Sequence, residues 1–285
     1  MLEDMPTWFE PETVFSLAGI IAAARPGCGR AIERTAKEIA GRFDARILIS
    51  EFQGPDISST AIRRRVKDAQ PITGLVCPEV ENLIYDEGLY QDEAIRAMQD
   101  KLRAELKPSR YKHSVGTMRC AIELAARFGY DTKKARVAGL LHDCAKLPNE
   151  RLVALAQQYG VAADEFDMAS PGLLHDRVGA FYAGERYGVT DGEICSAIGT
   201  HTRCEPGMSG FQRLIYLADK IEPTRDYPGV EELRNAAKTD LDEAVLKCMQ
   251  NVLGHLLATG AQIQPNIYEA MDEVRAIITK KEERH

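Results

Sequence analysis

An apolar helical segment ends in a histidine and an aspartate in the stretch Leu140-Leu141-His142-Asp143-Cys144-Ala145-Lys146. Adjacent side chains on a regular helix point about 100° apart, so both can reach one ion only at the end or edge of the helix. An aspartate without a partner is strongly disfavoured in apolar surroundings, and a bound cation would compensate its charge. For this stretch alone, an N-cap or an ion pair between Asp143 and Lys146 is an equally good explanation.

A second carboxylate, Asp219, lies within residues 214–221, which are apolar around most of the helix circumference. A buried carboxylate needs a charged partner, and the neighbouring Lys220 is expected to point away to the side. A metal ion shared with the His-Asp pair would provide that partner. Four of the six histidines lie within or at the ends of apolar helical segments: His113, His142, His175 and His201. The pattern predicts a metal site in the C-terminal region, whereas His255 is expected to be a core or boundary residue.

The composition is typical of a globular protein. The 285 residues are 45% hydrophobic and 28% charged, with a formal net charge of −7. An acidic chain argues against general binding to nucleic acid or membrane surfaces, and no apolar run approaches the ~20 residues of a membrane span. The seven cysteines are scattered without a Cys-x-x-Cys pair, which is typical of reduced thiols. We therefore expect a cytoplasmic protein without nucleic-acid or membrane partners.

Two regions differ in their hydrophobic pattern. In the first region, residues 19–24 and 46–50 are predicted to be strands and residues 31–42 a helix, an order that fits a parallel α/β unit. Beyond it almost every segment has helical spacing, and turn residues divide it into about eight helices. The predicted fold class is mainly α: a helical bundle at residues 93–285, with a small α/β segment at residues 1–92.

The histidines and aspartates, in this order, resemble the HD superfamily of metal-dependent phosphohydrolases. The shared skeleton is His113, then His142-Asp143, then Asp219. Further motifs are similar to the bacterial YqeK-type HD proteins. These motifs are Tyr111-Lys112-His113-Ser114, Leu173-Leu174-His175, Ile198-Gly199-Thr200-His201-Thr202 and Leu217-Ala218-Asp219-Lys220-Ile221-Glu222-Pro223. The resemblance covers roughly residues 100–245 and implies an HD-domain helical bundle.

The resemblance also implies a centre with two divalent metal ions. Its ligands would be His113, His142, Asp143, His175, His201 and Asp219. Asp143 would bridge the two ions, and iron is expected, with manganese as the alternative, because both metals accept imidazole and carboxylate ligands. A water activated by the cations would attack phosphorus in line, with Asp143 and Lys146 as catalytic residues. Thr202, Arg203 and Arg225 would contact the polyphosphate.

The YqeK-type proteins are known for symmetrical hydrolysis of diadenosine tetraphosphate to two ADP. One loop departs from their pattern: after His201-Thr202 they continue with a short Thr-Gly step, whereas this chain has Arg203-Cys204-Glu205-Pro206-Gly207-Met208-Ser209. Two alternative functions stay open. One is an HD-type nucleotide triphosphohydrolase or phosphodiesterase with the same metals, and the other is a non-catalytic nucleotide-sensing HD protein. The expected partner is a dinucleoside polyphosphate or another nucleotide, and a homodimer is compatible with each function.

The first region resembles the C-terminal part of nicotinate-nucleotide adenylyltransferases. The segment Ile57-Ser58-Ser59-Thr60-Ala61-Ile62-Arg63 is similar to their phosphate-binding segment, and Arg25-Pro26-Gly27 also matches. Hydroxyls and free N–H groups at a helix start could hold a phosphate, which makes Ser59 and Arg63 candidate substrate-binding residues. An ordinary serine N-cap is the structural alternative. No histidine precedes His113, so the two-histidine motif of such enzymes is absent, and no adenylyltransferase activity is expected.

Overall fold

The computed structural model describes residues 2–23, 29–51, 56–264 and 266–283. The contacts within the chain divide it into two compact units, Met1–Ile62 and Arg63–His285. The predicted turn at Arg25-Pro26-Gly27 lies outside the described residues. The predicted boundary after residue 92 follows sequence resemblance rather than contacts, and it stays a prediction.

The first unit contains a two-stranded parallel sheet whose strands are connected through a helix. A short 3-10 helix, Met5–Thr7, and helix α1, Pro11–Leu17, precede strand β1, Ile20–Ala23. Helix α2, Gly29–Phe43, is followed by strand β2, Ile47–Ser50, which runs parallel to β1. The predicted strand–helix–strand order is therefore confirmed, as expected for a parallel pair, which needs a crossover connection.

Only one face of this sheet packs into a core. The core residues are Met5, Phe15, Ile39 and Ala45, with Leu2, Ile20, Phe43 and Ile47 packed against them. On the opposite face, Ile21 is 75% exposed and its paired neighbour Leu48 is 62% exposed. Because successive strand residues point to opposite faces, the described part of this apolar run, residues 19–23, is only half buried.

The second unit is built from helices, apart from one isolated bridge between Thr73 and Val76 in the described residues. Helix α3, Ser59–Lys67, spans the division between the units. The others are α4, Pro78–Asp86; α5, Glu93–Glu105; α6, Pro108–Phe128; α7, Thr132–Leu141; α8, Asn149–Tyr159; α9, Glu165–Ala169; α10, His175–Tyr187; α11, Gly192–Gly199; α12, Gly210–Ile221; α13, Val230–Ala236; α14, Leu241–Thr259; and α15, Asn266–Glu282. A 3-10 turn, Pro171–Leu174, precedes α10.

The prediction of a mainly α fold is confirmed, but the expected number of helices is too low. Eleven α-helices lie beyond residue 92 in the described part of the chain. Two of them, α9 and α13, have only five and seven residues, so their patterns are too short to be separated from loops in the sequence. None of the helices among the described residues is long and apolar enough to cross a membrane.

Helices α6, α7 and α12 contact one another and form the framework of the site. Asp131 begins α7, because its side chain accepts hydrogen bonds from the backbone N–H groups of Lys133 and Lys134. Gly139 permits α7 to lie close to α6: a Cβ there would be 2.9 Å from Cα of Met118. These features place the last turn of α7 against the middle of α6.

Candidate metal centre

Six buried side chains that the sequence analysis selects converge at one place in the second unit. They are His113 in α6, His142 and Asp143 after α7, His175 at the start of α10, His201 after α11 and Asp219 in the last turn of α12. Each of the six is at most 7% exposed. Five segments of the chain therefore contribute to one buried position.

Asp143 lies between two pairs of histidines. Its Oδ1 is 3.1 Å from Nε2 of His175 and 3.5 Å from Nε2 of His201. Its Oδ2 is 3.8 Å from Nε2 of His113 and 3.7 Å from Nε2 of His142. Each carboxylate oxygen thus faces a different pair, which is the arrangement that a carboxylate bridge between two ions requires.

Asp219 completes the group on the side of His113. Its Oδ1 is 2.9 Å from Nε2 of His113 and 3.6 Å from Nε2 of His142. Ligand atoms within 4.8 Å of one another form three overlapping groups: His113, His142 and Asp143; His142, His201 and Asp219; and Asp143, His175 and His201. The side chains can therefore hold a cation on either side of Asp143.

The outer ring nitrogens of three histidines contact main-chain carbonyls. In each case the carbonyl belongs to the residue three positions earlier. The Nδ1···O distances are 2.8 Å for His142 and Gly139, 2.7 Å for His175 and Gly172, and 2.7 Å for His201 and Ile198. Because a carbonyl oxygen can only accept, each Nδ1 carries the proton, and each Nε2 presents a lone pair to the site.

The fourth histidine is oriented by a side chain. Nδ1 of His113 is 3.0 Å from Oε1 of Glu222, a glutamate that is fully buried. Glu222 was not predicted as a site residue, although it belongs to the motif that contains Asp219. A carboxylate behind a ligand histidine fixes the ring orientation and increases the basicity of the inner nitrogen.

The inner nitrogens approach one another in a way that fits bound cations. Nε2 of His113 lies 3.0 Å from Nε2 of His142, and Nε2 of His175 lies 3.2 Å from Nε2 of His201. Burial lowers the pKa of His142 to about 3 and also lowers the pKa of His175, so neither ring readily supplies a proton. Burial acts in the same direction on His113, but hydrogen bonds to Asp219 and Glu222 outweigh it and raise the pKa of this ring. Close lone pairs repel one another unless a cation lies between them. This donor set therefore fits divalent metal ions.

Both aspartates are anionic. Burial alone would raise the pKa of Asp143, but His142 and the other neighbouring histidines bring it well below its ordinary value of 3.8. Burial acts in the same direction on Asp219, where Lys220 and His113 outweigh it and hold the pKa well below 3.8. Two carboxylates and four imidazoles are the ligand types that divalent transition metals accept.

The comparisons with known proteins agree with this geometry. The sequence profile of the HD domain matches residues 110–224. A "Bis(5'-nucleosyl)-tetraphosphatase, symmetrical" of Bacillus subtilis is 39% identical over 168 residues, which cover 59% of this chain and 90% of the relative. The chain belongs to the HD-domain family. A crystal structure titled "predicted HD superfamily hydrolase involved in NAD metabolism", from Clostridium acetobutylicum, is 38% identical and covers 63% of this chain and 96% of its own, with a TM-score of 0.61.

One further relative of this HD protein extends across both regions. A "Probable nicotinate-nucleotide adenylyltransferase/Ap4A hydrolase" of Mycoplasma genitalium is 33% identical over 231 residues. The match covers 76% of this chain and 60% of the relative. The resemblance of the first region to adenylyltransferases therefore recurs in a protein whose name joins the two activities.

Cationic side chains surround the candidate ligands of the HD domain. Lys220 was expected to point away from Asp219, and this is wrong: its Nζ lies 2.6 Å from Oδ2 of Asp219, because a long lysine side chain can fold back along its helix. Arg225 contacts the same aspartate and donates through Nε to its main-chain oxygen at 2.8 Å. Arg110, which was not predicted, lies 2.7 Å from Oδ2 of Asp143. Its position three residues before His113 on α6 is the signal that could have identified it.

Two of the predicted catalytic and substrate-binding residues lie at the ligand group on the side of His175. Nζ of Lys146 is 3.1 Å from Nε2 of His175, and Oγ1 of Thr202 is also 3.1 Å from this nitrogen. Arg203 lines a cavity together with Lys146 and Thr202, where its side chain is 10% exposed and its Nη1 lies 3.0 Å from Oδ1 of the buried Asp167. An ion pair with Asp167 therefore holds Arg203 in place. Its contact with the substrate stays a prediction.

The remaining predicted contacts lie on α3. Oγ of Ser58 accepts a hydrogen bond from the N–H of Ala61 at 3.0 Å, which is the ordinary serine N-cap that the sequence left as an alternative. Ser59 is exposed in the first unit. The guanidinium of Arg63 lies 5.3 Å above the ring of Tyr90, a cation–π contact. The roles of Ser59 and Arg63 in binding phosphate stay predictions.

Proposed function

We propose that this HD protein hydrolyses diadenosine tetraphosphate symmetrically, to two molecules of ADP, in a metal-dependent reaction. One observation carries the proposal: nitrogens of four imidazoles and oxygens of two anionic carboxylates meet in a single buried group. The relatives named symmetrical bis(5'-nucleosyl)-tetraphosphatases support the choice of substrate.

The overlapping groups of side chains support a proposal of two metal positions. The first would be held by His113, His142, Asp143 and Asp219, and the second by Asp143, His175 and His201. Iron is the proposed metal and manganese the alternative, because affinity alone does not select between ions with this set of nitrogen and oxygen ligands. When bound, the cations would activate water for attack on phosphorus and neutralise charge that develops on the phosphate.

The protein's own residues would orient the ligands and neutralise the substrate. Asp143 presents one oxygen to each pair of histidines and so would fix the separation of the two proposed metal positions. Burial lowers the pKa of Lys146, so its ammonium group gives up a proton more readily. This group lies beside His175, where phosphate oxygens would arrive. Arg110 and Arg225, each in contact with a ligand carboxylate, would attract the polyphosphate.

Product analysis tests the reaction. Full-length protein purified without oxygen would be analysed for its metal content and incubated with diadenosine tetraphosphate, and the products would be separated by anion-exchange chromatography. We expect two metal ions per chain and ADP as the sole nucleotide product. Formation of ATP and AMP would contradict symmetrical attack, and faster hydrolysis of nucleoside triphosphates would favour the HD-type triphosphohydrolase. Metal binding without hydrolysis of any nucleotide would favour a sensor.

For the first region, we propose a domain at residues 1–92 that resembles the C-terminal part of an adenylyltransferase and is itself inactive. Two observations support this proposal: the described residues of this region form one two-stranded sheet, and residues 1–92 contain no histidine. A domain at residues 93–285 would carry the hydrolase. Cytoplasmic localisation, a homodimeric assembly and the lack of nucleic-acid partners stay predictions.

A further inference from the structure

A cavity opens beside the second group of ligands in the HD domain. Its volume is about 640 Å³, within the range of roughly 300–1,000 Å³ that is usual for small-molecule sites. Much of its wall is apolar. The apolar side chains include Phe166, Leu173, Val252, Leu256, Ile263 and Ile267. Such walls suit a flat, weakly polar ring system rather than the charged part of a polyphosphate.

The cavity is continuous with the ligand group. Lys146 and Thr202 line it, and both also contact Nε2 of His175, at 3.1 Å in each case. A phosphate chain held at the second metal position would therefore direct its attached nucleoside into this space. The charged end of the substrate would meet Lys146, and the base would meet the apolar wall.

One polar side chain in the cavity could recognise a nucleobase through hydrogen bonds. Asn266, the first residue of α15, lines the cavity, and its buried Oδ1 has no hydrogen-bond partner among the described residues. A buried acceptor without a partner is unfavourable, so a donor from a ligand would stabilise it. The terminal torsion of asparagine is broad, and a modest rotation would turn this oxygen toward a ligand. Gln262, another amide on the cavity wall, is exposed and can bind water instead.

We propose that this cavity binds one adenosine of the substrate and that Asn266 accepts a hydrogen bond from the exocyclic amino group of adenine. A carboxamide places an acceptor beside a donor, which matches the amino group and the adjacent ring nitrogen of adenine. The proposal rests on the proposed hydrolysis of diadenosine tetraphosphate and adds a specificity-determining residue to it.

Equilibrium dialysis of the full chain with adenosine and with purine riboside, which lacks only the amino group, tests this role. Wild-type protein should bind adenosine about tenfold more tightly, the effect of one hydrogen bond to a buried acceptor. Asn266→Ala should bind both nucleosides equally, within about twofold, by losing affinity for adenosine. Gln262→Ala, which removes an exposed amide from the same cavity, should keep the wild-type preference.

A second variant keeps the test decisive if the alanine variant fails to fold. Asn266→Leu keeps a side chain of similar size and removes the acceptor, so it should also bind both nucleosides equally, within about twofold. The proposal is overturned if wild-type protein binds neither nucleoside at millimolar concentration, or if a folded Asn266→Ala or Asn266→Leu variant retains the preference. Hydrolysis of diadenosine tetraphosphate is measured on the same wild-type sample. Symmetrical hydrolysis without a role for Asn266 refutes the inference alone, whereas adenosine selectivity without hydrolysis refutes the proposed reaction.

Discussion

Substituting Gly116 with alanine should weaken metal binding although Gly116 is not a ligand. Gly116 lies on α6 three residues after His113, and an added Cβ would be 3.1 Å from Cδ of Glu222 and far inside contact distance of its Oε2. Glu222 is fully buried, and its Oε2 already accepts a hydrogen bond from the N–H of Thr224 at 2.7 Å. The carboxylate must therefore move, and its contact with His113 moves with it.

The expected magnitude follows from that contact. Nδ1 of His113 lies 3.0 Å from Oε1 of Glu222, so a retreat of more than about 0.5 Å takes the pair beyond the usual hydrogen-bond range. Loss of a hydrogen bond to a charged group is worth about 1.5–3 kcal/mol. Since about 1.4 kcal/mol corresponds to a factor of ten, we expect metal affinity to fall by about 10- to 100-fold. Crowding should also lower the free energy of unfolding by about 1–3 kcal/mol.

A chelator competition at fixed pH measures the metal affinity, and chemical denaturation measures the free energy of unfolding. Gly254→Ala is the matched control, because an added Cβ in that part of α14 meets nothing within 4 Å. The control should keep wild-type affinity and gain about 0.4–1 kcal/mol in stability. A folded Gly116→Ala protein that binds metal as tightly as wild type would refute the orienting role of Glu222.

Three further outcomes are expected. Asp143→Ala should abolish hydrolysis and reduce the metal content, whereas His255→Ala should leave the metal content unchanged in elemental analysis, because His255 is exposed. In the folded, metal-free protein His142 has a pKa of about 3, whereas in the unfolded chain it has the ordinary value of 6.5. Between these pH values the unfolded chain therefore binds more protons at this residue than the folded chain does. Acidification from pH 7 to 5 should lower the free energy of unfolding by about 2 kcal/mol through this group, and His142→Asn should remove that share. Assays of the full chain with nicotinate mononucleotide and ATP should yield no dinucleotide.

The six candidate ligands could be selected from the sequence because each is a polar group in an apolar helical setting. His142-Asp143 and Asp219 are difficult to explain there without a cation, and the structure brings them together with the other three histidines. The prediction that His255 is a core or boundary residue is wrong: its apolar neighbours conceal a position that is exposed at the end of α14. Hydrophobic periodicity could not distinguish the exposed His255 from the buried histidines, because it reports the average character of a helix face.

The residues that orient the ligands were harder to predict. Glu222 and His113 are 109 positions apart, and their contact depends on a glycine at position 116 that admits the carboxylate. The ion pair between Lys220 and Asp219 depends on side-chain torsions, which helix geometry alone does not determine. Sequence patterns indicate which residues need partners, whereas the packing of α6 against α12 decides which partners they find.

The hydrogen bonds behind the histidines have a consequence for how the gene tolerates change. Three of the acceptors are main-chain carbonyls. Every amino acid has this group, so substitutions at Gly172 or Ile198 cannot remove it. The acceptor behind His113 is the side chain of Glu222, and a single missense change can erase it. Among the positions behind the histidines, random mutagenesis followed by selection for activity should therefore find losses at Glu222 and at the glycine facing it. Gly172 keeps its carbonyl in any variant, and an added Cβ there would lie no closer than 3.6 Å to another atom, so this position should accumulate neutral variation.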